Sequence, residues 1–285
     1  MAKWKDSWTS YLLILPAVTY VVYLAFYPAV EAVYGSFKVR NGVFTLYNYQ
    51  FVNSVFHLTN VVNSGASPII NTFIVTASAL LLQFIFAFTI ATLLSKPFKG
   101  RAAFSAIFLI PFGVATIVTG VVFHAMFARY GGFANSFLVL IGLHPVDWES
   151  SYLVSLIVLI VADSWKNTPI VTLILLAGMT SISPDLYSQA MVDGAGTFQR
   201  FLRVTLPNLK GFIAIALMIR GISEFNIFAM ALLLYPYQLL TTMTYSLYDT
   251  VNAHPAYAGA TILLAFVLIF ATIIMVYRGK YGRIG

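Results

Sequence analysis

Six runs of apolar residues, each about as long as a bilayer is thick, govern what this chain can become. They cover residues 11–30, 70–94, 104–127, 152–176, 212–234 and 257–277. A helix rises 1.5 Å per residue, so about 20 residues cross a hydrocarbon core of about 30 Å. Only 9% of the 285 residues are charged, against about 25% in soluble domains. That is too little charge to clothe a water-facing surface, which excludes an ordinary soluble globule and a disordered chain. None of the runs alternates with period 2, which excludes a transmembrane β-barrel. The expected fold is an all-α integral membrane protein with six transmembrane helices, read as a single domain over residues 1–285. The first run is longer than the 7–15-residue core of a secretory signal, so it is read as a retained span. The chain has no cysteine, which removes disulfides, thiolate metal ligands and cysteine nucleophiles.

The basic residues orient the spans. Lys3 and Lys5 precede the first; Lys96, Lys99 and Arg101 join the second to the third; Arg200, Arg203 and Lys210 join the fourth to the fifth; Arg278, Lys280 and Arg283 follow the sixth. These eleven share one side, and only Lys38, Arg40 and Arg129 fall on the other. The positive-inside rule puts the eleven, and with them both termini, in the cytoplasm. The net charge of +7 is therefore a mark of membrane topology and does not point to nucleic acid.

Segment 183–207, on the cytoplasmic side, is long for a connection between packed helices, which commonly takes about 2–8 residues. Ser183 suits an N-cap, Pro184 the first helical position, and Asp185 the positive end of the helix dipole. Gly194 and Gly196 can end that helix, and Thr197 can cap a second short one. Two uses fit such an elbow: an amphipathic helix lying on the membrane surface, or a docking surface for a cytoplasmic partner.

The same segment resembles the "EAA" loop of binding-protein-dependent ABC importer permeases. That pattern is Glu-Ala-Ala, three residues, Gly, nine residues, Ile, one residue, Leu-Pro. Here its positions are Ser188-Gln189-Ala190, Gly194, Val204 and Leu206-Pro207, and Asp193-Gly194-Ala195 matches the family's Asp-Gly-Ala. Ser188 replaces the family's Glu and Gln189 its first Ala. Further pieces are similar to the sugar-transporting subgroup that includes the maltose and glycerol-phosphate permeases. They are Leu46-Tyr47-Asn48-Tyr49, Asn71-Thr72, Leu109-Ile110-Pro111, Gly132 to Asn135, Trp165 to Pro169, and Tyr257 to Ala260. In the fifth span, Phe225-Asn226-Ile227-Phe228-Ala229 lacks the subgroup's Asp, and its Gly-Gly-Pro survives only as Tyr235-Pro236.

The resemblance implies a type I importer permease that works by alternating access. Its partners would be a second, different permease chain, two ATPase subunits, an extracellular or periplasmic substrate-binding protein, and membrane lipid. No cofactor is expected in this chain, and ATP and Mg would sit on the ATPase partners. In keeping with that, the sequence contains no Gly-x-x-x-x-Gly-Lys-(Ser/Thr) phosphate loop. Segment 183–207 would be the coupling helix, with Ser188, Gln189, Ala190, Asp193, Gly194, Arg200 and Arg203 at the ATPase contact. Leu186, Ala190 and Met191 would form its apolar side.

A charge near the bilayer centre costs about 2.5–3.5 kcal/mol on insertion scales, which singles out Asp163, Lys166, Arg220 and Glu224. Asp163 and Lys166 are spaced i,i+3, and Arg220 and Glu224 i,i+4, so each pair shares a helix face. Such pairs either neutralise themselves while holding helices together or form a polar patch on a substrate path; Arg220 could also anchor at the inner leaflet. For a substrate path the residues are Lys166, Asn167, Glu224 and Asn226, with the solute most simply a sugar. The four histidines lack metal-ligand spacing, and His124 reads as a packed neutral imidazole. No catalytic or metal site is expected. The alternative to an importer permease is an ion-coupled secondary carrier with Asp163 or Glu224 as its proton site. The smaller size and the lack of an internal repeat weigh against it. An integral membrane enzyme would need a metal or nucleophile constellation that the sequence lacks.

Overall fold

The computed structural model describes residues 3–39, 41–56, 67–234 and 237–281. Arg40, His57, Tyr235-Pro236 and Arg283, which entered the sequence reading, lie outside them. The described chain is helical almost throughout. The first helix, α1 (Lys3–Val21), runs through one π-helical turn (Val22–Phe26) into α2 (Tyr27–Ser36). α3 (Tyr47–Phe56) follows, then α4 (Pro68–Leu94), α5 (Arg101–Gly113), α6 (Thr116–Met126), α7 (Phe133–Leu140) and α8 (Tyr152–Ser181). α9 (Pro184–Val192), α10 (Thr197–Arg200) and α11 (Leu206–Asn208) make up the elbow. α12 (Lys210–Phe225), α13 (Ala229–Leu234), α14 (Leu240–Thr250) and α15 (Ala253–Tyr281) complete the chain.

Among the described residues four helices are long and apolar enough to span a membrane, or up to six if each of two bent pairs is one span. The third and fifth apolar runs are the ones that break. Run 104–127 bends by 96° between α5 and α6. α5 continues past Pro111 to Gly113, and Val114 and Ala115 are extended, so the helical hydrogen-bond ladder stops there and restarts at Thr116. Run 212–234 is interrupted after Phe225, where Asn226–Phe228 separate α12 from α13. A second bend, of 68°, separates residues 197–208 from α12. Hydropathy does not register the α5–α6 break, because Val114 and Ala115 are as apolar as their neighbours.

The described packing forms two compact units. The first holds residues up to His57 together with Met243–Leu264. In it Tyr257 packs on Gly35, where even a Cβ would meet its ring at 2.5 Å. Asn48 donates to the carbonyls of Ser36 (2.8 Å) and Lys38 (2.7 Å), which fixes the turn between α2 and α3. The side chains from Tyr11 to Tyr27 are exposed throughout.

The second unit, residues 58–242 and 265–285, is organised by α4 and α8. Along α4, Val75, Ala79, Gln83, Ala87 and Ala91 are fully buried at strict four-residue spacing. Along α8 the matching stripe is Leu159, Asp163, Asn167, Val171 and Leu175. Residues four apart lie on one face of a helix, so the two stripes meet, and the alanines let the backbones approach closely. One apolar cluster lies towards Val75 and Leu159, with Met230 and Leu239; another lies towards Ala91 and Leu175, with Leu209 and Ala216. Each stripe turns polar at its centre, halfway along its helix.

Candidate functional site

Between the two apolar clusters lies a buried polar centre built from three helices. Gln83 on α4 donates from Nε2 to Asp163 Oδ2 on α8 and to Glu224 Oε1 on α12, both at 2.8 Å. Arg220 donates from Nε to Gln83 Oε1 at 3.2 Å, forms an ion pair with Glu224, and lies 3.6 Å from Asp163 Oδ2. Asn167 donates to Asp163 Oδ1 at 2.8 Å. Glu224 and Gln83 are fully buried, and Asp163 nearly so. Burying two carboxylates and a guanidinium is tolerated only because each is met by a partner of opposite charge or a hydrogen bond. One atom escapes that rule: Glu224 Oε2 has no hydrogen-bond partner among the described residues.

This geometry sorts the residues expected on a substrate path. Asn167 and Glu224 share the centre. Lys166, one residue before Asn167, points elsewhere: its Nζ donates to Val114 O at 2.5 Å, at the break between α5 and α6. Asn226 is exposed in the break after α12, where Nδ2 donates to Ile222 O at 2.7 Å. The expected Asp163–Lys166 pair is not formed. An i+3 neighbour is turned about 60° around the helix from its partner, whereas Asn167 at i+4 is turned only about 40° the other way. That places Asn167 on Asp163 and frees Lys166 for α5. The Arg220–Glu224 pair is present, and Arg220 is drawn into the core as the common cation of two carboxylates. Gln83 escaped the sequence reading; its signal is a lone polar residue at the centre of the four-residue stripe Ala79-Gln83-Ala87. His124 is half exposed, its Nε2 3.0 Å from Glu149 Oε1, in place of the packed imidazole expected. Among the described residues there is no cluster of three or more metal-ligating side chains.

The elbow forms as its punctuation predicts, with one change. Ser183 Oγ accepts from the Asp185 amide at 3.3 Å and Pro184 opens α9. Gly194 ends it in a left-handed conformation, φ +76°, with open space where a Cβ would be. The second cap is Gly196, whose amide donates to Gln199 Oε1 at 3.1 Å; Thr197 is the first residue of α10. Tyr187 hydroxyl bonds to Thr205 Oγ1 at 3.0 Å and holds α9 against the following turn. Ser188, Gln189, Asp193, Gly194 and Arg203 are exposed, while Ala190 and Arg200 are half-buried. Leu186, Met191, Val192 and Phe198 are exposed apolar side chains on the same elbow.

Residues 61–280 match the family described as "Binding-protein-dependent transport system inner membrane component". The chain belongs to this family. The permease is 31% identical to the trehalose/maltose transport system permease protein MalF of Thermococcus litoralis, over 99% of this chain and 97% of that one. It is 28% identical to the trehalose transport system permease protein SugA of Mycobacterium tuberculosis, over 77% of this chain and 70% of that one. Its fold matches a chain in the crystal structure of a bacterial alginate ABC transporter in complex with an alginate pentasaccharide-bound periplasmic protein. The TM-score is 0.82 at 22% identity, covering 99% of this chain and 97% of that one. The permease is thus an inner-membrane transport subunit and not an enzyme, and the ion-coupled carrier is set aside. Asp163 and Glu224, the proton sites of that reading, are here the two carboxylates that meet Arg220.

Proposed function

We propose that this permease is one of two different permease chains that together form the pathway of an ATP-driven sugar importer, the solute being a di- or oligosaccharide. The observation that carries the coupling half of the proposal is the elbow. A capped helix, a left-handed glycine and four exposed apolar side chains form a shaped surface that none of the described residues covers. Such a surface suits a groove on an ATPase subunit, with Ser188, Gln189, Ala190, Asp193, Gly194, Arg200 and Arg203 at or behind the contact. Two ATPase subunits would carry ATP and Mg, and a binding protein would deliver the sugar from outside. The charge bias of the loops supports both termini in the cytoplasm. The exposed face of residues 11–27 suits lipid and the partner permease, and the two packed units would serve as one permease domain over 1–285.

The sugar half rests on the named substrates of the relatives and on the polar centre. Asn167 and Glu224 would meet substrate hydroxyls when the core opens, and Glu224 Oε2 is the acceptor left unengaged in this state. Lys166 and Asn226 flank that path at the two helix breaks. Co-expression with a second permease, ATPase and binding protein tests the proposal. ATP hydrolysis in proteoliposomes should rise with sugar-loaded binding protein and accompany uptake of labelled trehalose or maltose. Uptake by this chain alone, driven by a proton gradient, would refute it; sugar-independent ATP hydrolysis would refute the substrate assignment alone.

A further inference from the structure

A cavity of about 340 Å³ lies behind the elbow. Its walls include Ser95 and Lys96 just beyond the end of α4, Tyr187 on α9, and Thr197, Arg200 and Thr205 on the far side. Its chemistry is one-sided. Two cations and several hydroxyls face it, and no acidic residue lines it. Among the described residues neither Lys96 nor Arg200 has a carboxylate within ion-pair distance. Arg200 Nη2 is held at 3.3 Å by Thr197 Oγ1, and its Nε is buried with no partner among the described residues. A buried guanidinium donor without an acceptor is costly, and the group that best relieves it is an oxyanion.

Depth narrows the source. α4 has 27 residues, about 40 Å of helix at 1.5 Å per residue. The bilayer with its headgroups is about 40–45 Å thick, so the residues just after Leu94 lie at the level of lipid phosphates. We infer that this cavity binds a phosphate group, that of an anionic phospholipid or a free phosphate, between Lys96 and Arg200. The bound phosphate would brace the elbow from behind, whatever docks on its outer face, so the inference does not rest on the coupling proposal.

The test uses the assembled transporter in nanodiscs. In one arm the discs contain phosphatidylcholine with phosphatidylglycerol, and native mass spectrometry reads the phosphatidylglycerol retained. In the other they contain phosphatidylcholine alone, and inorganic phosphate is titrated while the melting midpoint is followed. Retention of phosphatidylglycerol with no response to inorganic phosphate identifies the lipid; a saturable response to inorganic phosphate identifies the free anion. In whichever arm binds, Lys96→Gln and Arg200→Gln should weaken binding about tenfold, the equivalent of ~1.4 kcal/mol. Lys99→Gln, a charge in the same loop but outside the cavity, should leave it unchanged. Lys96 is exposed, so its variant decides the matter even if Arg200→Gln does not assemble. Binding in neither arm overturns the inference, as does a Lys99→Gln loss equal to that of Lys96→Gln, which would mean diffuse attraction of anions to a basic surface.

Discussion

Replacing Arg220 by methionine probes the buried centre most directly. The guanidinium is the cation on which Asp163 and Glu224 converge. The two carboxylates each lie 2.8 Å from the same Gln83 Nε2, so the engaged oxygens are at most twice that distance apart. Two like charges at that separation repel by ~3 kcal/mol at an effective dielectric of about 20. Removing one partner of a buried ion pair costs about 3–5 kcal/mol by experience with other proteins. The expected loss for Arg220→Met is therefore ~3 kcal/mol or somewhat more, held towards the low end because helices unfolded within a membrane find other partners. Glu224→Gln is the contrast: it leaves Arg220 opposite Asp163 with the charges balanced, and its expected cost is ~1 kcal/mol. The double variant should recover at least half of the Arg220→Met loss. Unfolding of the purified permease in mixed micelles, followed by the fluorescence of its four tryptophans, supplies the three values as a double-mutant cycle. Equal losses for the two single variants, or a double variant no more stable than Arg220→Met, would refute the shared-cation account.

Three further outcomes follow from particular contacts. Gly194 holds φ +76°, which costs other residues about 1–2 kcal/mol and Asn less. Gly194→Trp should therefore cut transport-linked ATP hydrolysis several-fold with membrane insertion unchanged, and Gly194→Asn should do so far less; normal coupling in the Trp variant would remove the elbow's assigned role. Asn135 donates to Arg129 O and Val146 O and accepts from the Val146 amide and Trp148 Nε1, all within 2.9–3.0 Å. Asn135→Ala should cost ~2 kcal/mol and speed hydrogen exchange at the Val146 amide, whereas unchanged exchange would show that the loop is held by something else. Lys166→Met leaves Val114 O at the α5–α6 break without its ammonium donor. It should reduce sugar uptake in proteoliposomes while assembly is retained, and full uptake would mean that the contact is only structural.

The segments that carry the family resemblance include several with a structural task of their own. Asn48, Asn71 and Asn135 are buried side chains that hydrogen-bond backbone carbonyls across loops; Asn71, for instance, donates to Gln238 O at 3.0 Å. Tyr257 fills the space above Gly35. A short polar side chain at a turn reads as punctuation in a sequence, but the carbonyl that it satisfies, up to 167 positions away, does not. The elbow was legible for the opposite reason: its N-cap at Ser183, its Pro184 and the Gly194 turn act on neighbours within a few residues.

The sequence by itself determined the membrane class, the six apolar runs, the sidedness expected from the basic loops and the shape of the elbow. All of these follow from composition, local hydrogen bonding and the cost of placing charge in hydrocarbon. Only the tertiary structure decided where the third and fifth runs break. It also decided which of the buried charges pair: Asp163 turned out to be Arg220's partner and Lys166 that of the Val114 carbonyl. Spacing along one helix states which side chains share a face. What that face meets depends on the register of the helices packed against it, and here that register set Gln83 between two carboxylates from two other helices.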